Sequence, residues 1–404
     1  MPSTASDDQP PARSGNSNDH VRRPNLSAIL DLVHRARGLS RSQLTRQTGL
    51  NRSTIAALVA ELVSLDLVVE VEPDLRNQVG RPSPIVRPGP HTVAIAVNPE
   101  IDAVTIGVVG LGGSVLRQVR YPVDRPPSAR EAVDITTAVI AGIRVELDAR
   151  YRIRGIGVAV PGLVRTGDGL VRLAPHLGWK DEPFAELLAA ATGLPVVAAN
   201  DAHLGTRAES TFGVGRHIYD LIYLNGGASG IGGGIVSGAN PLGGNAGYAG
   251  ELGHTLVNSA GVNCYCGANG CLETEVRRDR LLDLVRLSDA DGHELEVALR
   301  ASTDPAVSIE VRRQLDFLAV ALRNAINMLN PRLIVLGGFL AALYAVDPGY
   351  LDALLASQPL AASRESVSVV PTQLGSDLLL VGAAELVFES LIADPASVAA
   401  ENAR

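Results

Sequence analysis

All three cysteines of this 404-residue chain, Cys264, Cys266 and Cys271, fall in the short stretch VNCYCGANGCLE at residues 262–273. With His254 they are spaced ten, two and five residues apart. One imidazole and three thiolates make a Cys3His set, the donor set of a closed, four-coordinate structural zinc site. Gly267 and Gly270 let the chain fold back between ligands. Cys264 and Cys266 have one residue between them, which is not the CxxC spacing of a redox pair. A metal bound by this set ties His254 to the cysteine loop. That constrains residues 254–271 more tightly than any other signal in the chain constrains its own segment.

The rest of the composition is that of a globular protein of two or three domains, 46% hydrophobic and 19% charged. Residues 1–20, MPSTASDDQPPARSGNSNDH, are polar, with acids and prolines and no apolar core, so they are expected to form a disordered tail and not a signal peptide. No run of about 18 apolar residues suggests a membrane span. The expected compartment is a reducing cytoplasm, where clustered cysteines are metal ligands or redox groups more often than disulfides.

The net charge of −8 hides an asymmetry. Between Val21 and Pro90, ten arginines face six acids, which leaves that segment about +4 on a body of about −12. Leu26, Ile29, Leu30 and Val33 have the spacing of a helix with one buried face, closed by Gly38. Ser40 and Gln43 form a capping-box pattern for a short second helix, which runs to Thr48 and turns at Gly49. Asn51 can cap a third helix whose buried stripe is Ile55, Leu58, Val59 and Leu62. LVVEVEP alternates as a strand does, and the loop NQVGRPSP follows it. Residues 21–88 are therefore expected to form a winged helix-turn-helix domain that binds double-stranded DNA. Its candidate contacts are Asn51, Arg52, Ser53 and Thr54 in the major groove, Arg41 and Ser42 on phosphates, and Arg81 in the minor groove. A helical docking domain with a solvated arginine face is the competing reading.

From His91 onward strands alternate with helices, the pattern of an α/β architecture. TVAIAV, VTIGVVG, IGVAVPG and PVVAAND read as strands, then YDLIYLNGG and GIGGGIVSG as a strand pair. QLDFLAVALRNAINML reads as a helix before the strand NPRLIVLGG. Two rounds of strands followed by a helix suggest two similar lobes with a ligand cleft at the strand ends.

AGELGH at 249–254 and CYCGANGCLE at 264–273, preceded by ND at 200–201 and GIGGGIVSG at 230–238, resemble the ROK family. That family groups bacterial sugar kinases with sugar-responsive repressors that carry an extra N-terminal winged helix. The resemblance implies a two-lobed actin-like, ribonuclease-H-like sugar-kinase fold over residues 89–404. Lobe 1 would span about 89–199 plus a C-terminal helix at about 377–394, and lobe 2 about 200–376 with the zinc site. It further implies a sugar held beside the zinc by Asn200, Asp201, Glu251, His254 and Glu273. Carboxylates accept from pairs of hydroxyls, and a zinc-bound imidazole can offer its other N–H. The family assembles as homodimers or homotetramers, which suits a palindromic operator.

Asp201 matches the family's catalytic base, Ala228–Gly232 part of a phosphate segment, and VLGG at 335–338 the adenosine-side turn. The first phosphate loop departs from the pattern. Where family kinases carry Asp-Ile-Gly-Gly-Thr, the aligned residues here are NPEID, Asn98 to Asp102. Asn98 replaces the aspartate that organises Mg2+, Pro99 has no N–H to give a phosphate, and Glu100 brings a like charge. The expectation is a transcriptional regulator with kinase activity lost and Asp201 kept as a sugar ligand. A bifunctional kinase and a protein-docking platform are the alternatives.

Overall fold

The computed structural model describes residues 19–72, 83–288 and 290–398. They divide into two compact units, one of residues up to Gly89 with the segment from Ser390 onward, the other Pro90–Glu389.

The first unit is a winged helix. Helix α1 (Asp19–Ala36) buries Leu26, Ile29, Leu30 and Val33, the expected stripe. Its end differs from expectation: Arg37 takes the left-handed turn at φ 58°, before Gly38. Helix α2 (Arg41–Thr48) carries the reciprocal capping box of Ser40 and Gln43 and stops at Gly49, φ 71°. Helix α3 (Arg52–Ser64) is capped by the Asn51 side chain, which accepts from the Thr54 N–H at 2.9 Å. Its apolar side, Ile55, Leu58, Val59 and Leu62, completes the small core. Strands Leu39–Ser40, Ile85–Pro88 and Val68–Val71 form a three-stranded antiparallel sheet in that spatial order. Most of the expected loop, with Arg81, lies outside the described residues.

The second unit contains two five-stranded sheets of one topology. In the first, Ser114–Pro122, Ala103–Gly110 and Thr92–Pro99 run antiparallel, then Arg152–Val160 and Val196–Asn200 add on parallel. The second repeats this order with Asn240–Pro241, Gly230–Ser237, Leu221–Gly227, Leu333–Gly338 and Ser368–Pro371. Thr92–Pro99 and Ala103–Gly110 are buried along their whole length, so they read as continuous apolar runs. The helix Leu378–Ala393 lies against the first sheet, where a Cβ on Gly157 would come within 1.9 Å of the Ala383 carbonyl oxygen.

The second lobe's third-to-fourth strand connection is long. It holds the cysteine loop and the 25-residue helix Pro305–Leu329. That helix begins nine residues before the segment read from the sequence, because Asp304 caps it and Pro305 occupies its first position, and its first turns bury Val307 and Val311. A buried carboxylate, Glu209, accepts from the backbone N–H groups of Val214, Gln373 and Leu374 at 2.9–3.0 Å. It thereby ties the helix Asp201–Phe212 to the segment that follows the last strand.

Candidate functional site

A cavity of about 300 Å3 opens between the two sheets' strand ends. Asn200, Asp201, Glu251, His254 and Glu273 all line it, as do Ser229, Gly230, Ile231 and Gly232 of the partly kept phosphate segment. Asn200 ends the strand Val196–Asn200 and caps the next helix, so its amide is engaged at both ends. Its oxygen accepts from the His203 N–H at 3.0 Å, and its nitrogen donates to the Gly162 carbonyl at 3.0 Å. Asp201 is the first residue of that helix, and one of its oxygens accepts from the Ala202 N–H at 2.8 Å.

The cavity is acidic, and among the described residues no lysine or arginine lines it. Burial pushes the Asp201 carboxyl up to about 7, and the charges of Glu100 and Glu251 add to that. Burial likewise raises Glu251. Glu100 belongs to NPEID, which forms the turn between the first two strands of lobe 1. Asn98 is buried and donates to the Glu100 carboxylate, whose own pKa is raised by burial and by Asp102. A glutamate side chain therefore stands in this turn.

The cysteine loop supplies one wall. His254, Cys264, Cys266 and Cys271 present one donor atom each, all within 4.8 Å of one another. His254 Nδ1 is 3.5 Å from Cys264 Sγ, and Cys266 Sγ is 3.7 Å from Cys271 Sγ. Tetrahedral ligands at the bond lengths usual for zinc lie about 3.5 Å (N to S) and about 3.8 Å (S to S) apart. The four residues therefore fit a small tetrahedral metal ion. Cys264 and Cys271 are buried and Cys266 is exposed. Gly270 permits the fold of the loop, since a Cβ there would strike the Asn258 carbonyl oxygen at 1.7 Å.

Two lining residues were not expected: His176, which stands in no motif, and Tyr265, which sits between two of the cysteine ligands without being one. The Tyr265 hydroxyl lies 3.0 Å from His254 Nε2, and its ring stands edge-on to both histidines. The VLGG turn has a purely structural need for its glycines. A Cβ on Gly337 would meet the Tyr223 hydroxyl at 2.5 Å, and one on Gly338 the Gly226 carbonyl oxygen at 2.0 Å.

In the winged helix, Arg52 is exposed at the start of α3. Asn51 caps that helix and also accepts from the Ser53 hydroxyl at 2.7 Å. Ser42 shares a hydrogen bond of 2.9 Å with Ser40. Arg41 makes a two-pronged ion pair with Glu70.

Among the described residues no single helix is long and apolar enough to cross a membrane.

Comparison with known proteins places this geometry in context. The xylose repressor of Bacillus subtilis (strain 168) is 23% identical over 375 residues, 92% of this chain and 97% of the relative. A glucokinase of Streptomyces coelicolor is 29% identical over 311 residues, 71% of this chain and 94% of the relative. A crystal structure of a ROK family transcriptional regulator, a homolog of the E. coli MLC protein, superposes with a TM-score of 0.74 at 23% identity. It covers 93% of this chain and 98% of its own. The ROK family profile matches residues 95–390, and the chain belongs to the ROK family.

Proposed function

We propose that this chain is a sugar-responsive transcriptional repressor of carbohydrate genes, whose winged helix binds a palindromic operator as part of a homodimer or homotetramer. The observation that carries it is the pairing, on one chain, of a winged helix with a carboxylate-lined cavity whose Asp201 feels the charge of Glu100. Full-length likeness to a xylose repressor supports the same reading and makes D-xylose the first sugar to try.

A neutral sugar would donate its hydroxyls to Asp201, Glu251 and Glu273 and accept from His254, with Asn200 shaping the wall. His254, Cys264, Cys266 and Cys271 would hold zinc. With four protein ligands the ion has no open position for water, so its contribution is structural. Asp201 serves as a ligand: phosphoryl transfer needs Mg2+ and donors on the phosphates, and Asn98, Pro99 and Glu100 remove both. Sugar binding would shift the lobes and release DNA by its differential affinity for the two arrangements. For DNA, Arg52, Asn51, Ser53 and Thr54 would meet the major groove, and Arg41, Ser42 and Arg81 the backbone and minor groove.

A thermal-shift screen against pentoses, hexoses and amino sugars tests the sugar site. A ligand specific to the native state raises Tm by mass action. The expected result is a dose-dependent rise for at least one neutral sugar, lost in Asp201→Ala. A flat response across the whole set refutes the reading.

A further inference from the structure

The cavity-facing nitrogen of His254 already has a partner. Nδ1 is turned to the thiols, 3.5 Å from Cys264 Sγ, while Nε2 lies 3.0 Å from the Tyr265 hydroxyl. A metal on Nδ1 leaves the proton on Nε2, so His254 donates and the Tyr265 oxygen accepts. The Tyr265 ring is 5.1 Å from the His254 ring and 5.6 Å from that of His176, near-perpendicular to each. His176 comes from the short turn Pro175–Leu177, Tyr265 from between two of the cysteines, and both line the cavity with Glu251 and Glu273. Tyr265 is nevertheless 52% exposed, so little packing holds it there. A phenol hydroxyl offers one donor and two acceptor positions, the same inventory as a sugar hydroxyl.

We propose that Tyr265 is a tethered competitor at the sugar site. Its hydroxyl stands in for a sugar hydroxyl on His254, its ring rests against His176 and His254, and an entering sugar displaces it. The inference rests on the reading that a sugar binds in this cavity. It makes Tyr265 a positioning residue that sets the sugar concentration to which the chain responds. The empty cavity keeps its half-buried histidine satisfied, and only a ligand with a better-placed hydroxyl gains by replacing the phenol.

The test is calorimetric titration of the full, metal-loaded chain and of Tyr265→Phe with D-xylose and D-glucose. Phenylalanine keeps the ring and both edge contacts and removes only the hydroxyl. Equal metal-to-protein ratios show that the cysteine loop is intact in both. The expected result is a Kd about three- to tenfold lower in the variant, the factor set by one hydrogen bond of modest net strength. That tightening is the readout a merely structural tyrosine would not give, and nitrogen-15 histidine spectra check the hydrogen bond itself. The His254 Nε2 proton should exchange slowly in the wild type and quickly in Tyr265→Phe. A Kd equal to or weaker than wild type overturns the competitor role and leaves the sugar site standing. Binding by neither protein overturns both.

Discussion

Asp201 and Glu100 are electrostatically linked: burial pushes the Asp201 carboxyl up to about 7, and the charge of Glu100, with that of Glu251, adds to it. On the proposed reading this turn takes the place of a kinase's first phosphate loop. Here the turn carries Glu100, whose carboxyl is pushed up by burial and Asp102 and pulled down by Arg120 and a hydrogen bond from Asn98. With ATP, Mg2+ and a panel of pentoses, hexoses and amino sugars, a coupled assay should show no sugar-dependent turnover. Turnover that disappears in Asp201→Ala would contradict this.

The same carboxylate makes sugar affinity depend on pH. The ionised form of Asp201 is the better acceptor for sugar hydroxyls, and it is depleted below about 7. Affinity should therefore strengthen as pH rises through about 7 and level off above. Glu100→Gln should move that midpoint lower. The stability term has the opposite slope. The native state keeps a proton that the unfolded chain releases near pH 4, so this group's contribution falls between about pH 4 and about 7. Titration calorimetry across pH reads the first effect and denaturant unfolding the second.

Metal analysis of the purified chain should give one zinc per chain. Cys271→Ala removes a buried sulfur from the donor set and should abolish stoichiometric binding. The Tm should fall by roughly 5–10 °C, because metal binding energy is folding energy. An unchanged Tm with the metal lost would show that the loop folds without it.

For DNA, the exposed Arg52 and the paired Arg41 should behave differently. Arg52→Ala should cost about 1–3 kcal/mol of operator affinity. Arg41→Ala should cost less, since Glu70 already neutralises that guanidinium, and Glu70→Ala should strengthen binding at low salt. Anisotropy titrations at several salt concentrations measure both.

Elements with strong local signals could be read from the sequence. The Ser40 and Gln43 capping box, the Asn51 cap and the four cysteine-loop ligands depend on neighbours close in the chain, and such chemistry is visible in one dimension. The strand Ser114–Pro122 was not legible, because it is an exposed edge strand without alternating burial. Residues 305–313 were missed as helix because Val307, Ile309 and Val311 alternate with polar residues as in a strand, although Asp304 and Pro305 mark a helix start. His176 and Tyr265 could not be found that way. They are 89 residues apart in number and meet only when the two lobes fold against one cavity; His176 stands at no motif position, and Tyr265 lies inside the cysteine motif without being one of its ligands. Arg41 was legible as an exposed helix-start cation, but its pairing with Glu70 depends on the sheet that follows.

The most direct measurement is operator affinity as a function of sugar. A fluorescent duplex selected by the chain itself from a random pool is titrated with the full-length protein, in the presence and absence of D-xylose and the other sugars that raise its Tm. The expected result is a loss of DNA affinity of about tenfold or more with an effective sugar. Asp201→Ala should bind the duplex and ignore the sugar. DNA affinity that no such sugar changes, with wild type and Asp201→Ala alike throughout, would contradict sugar-responsive repression.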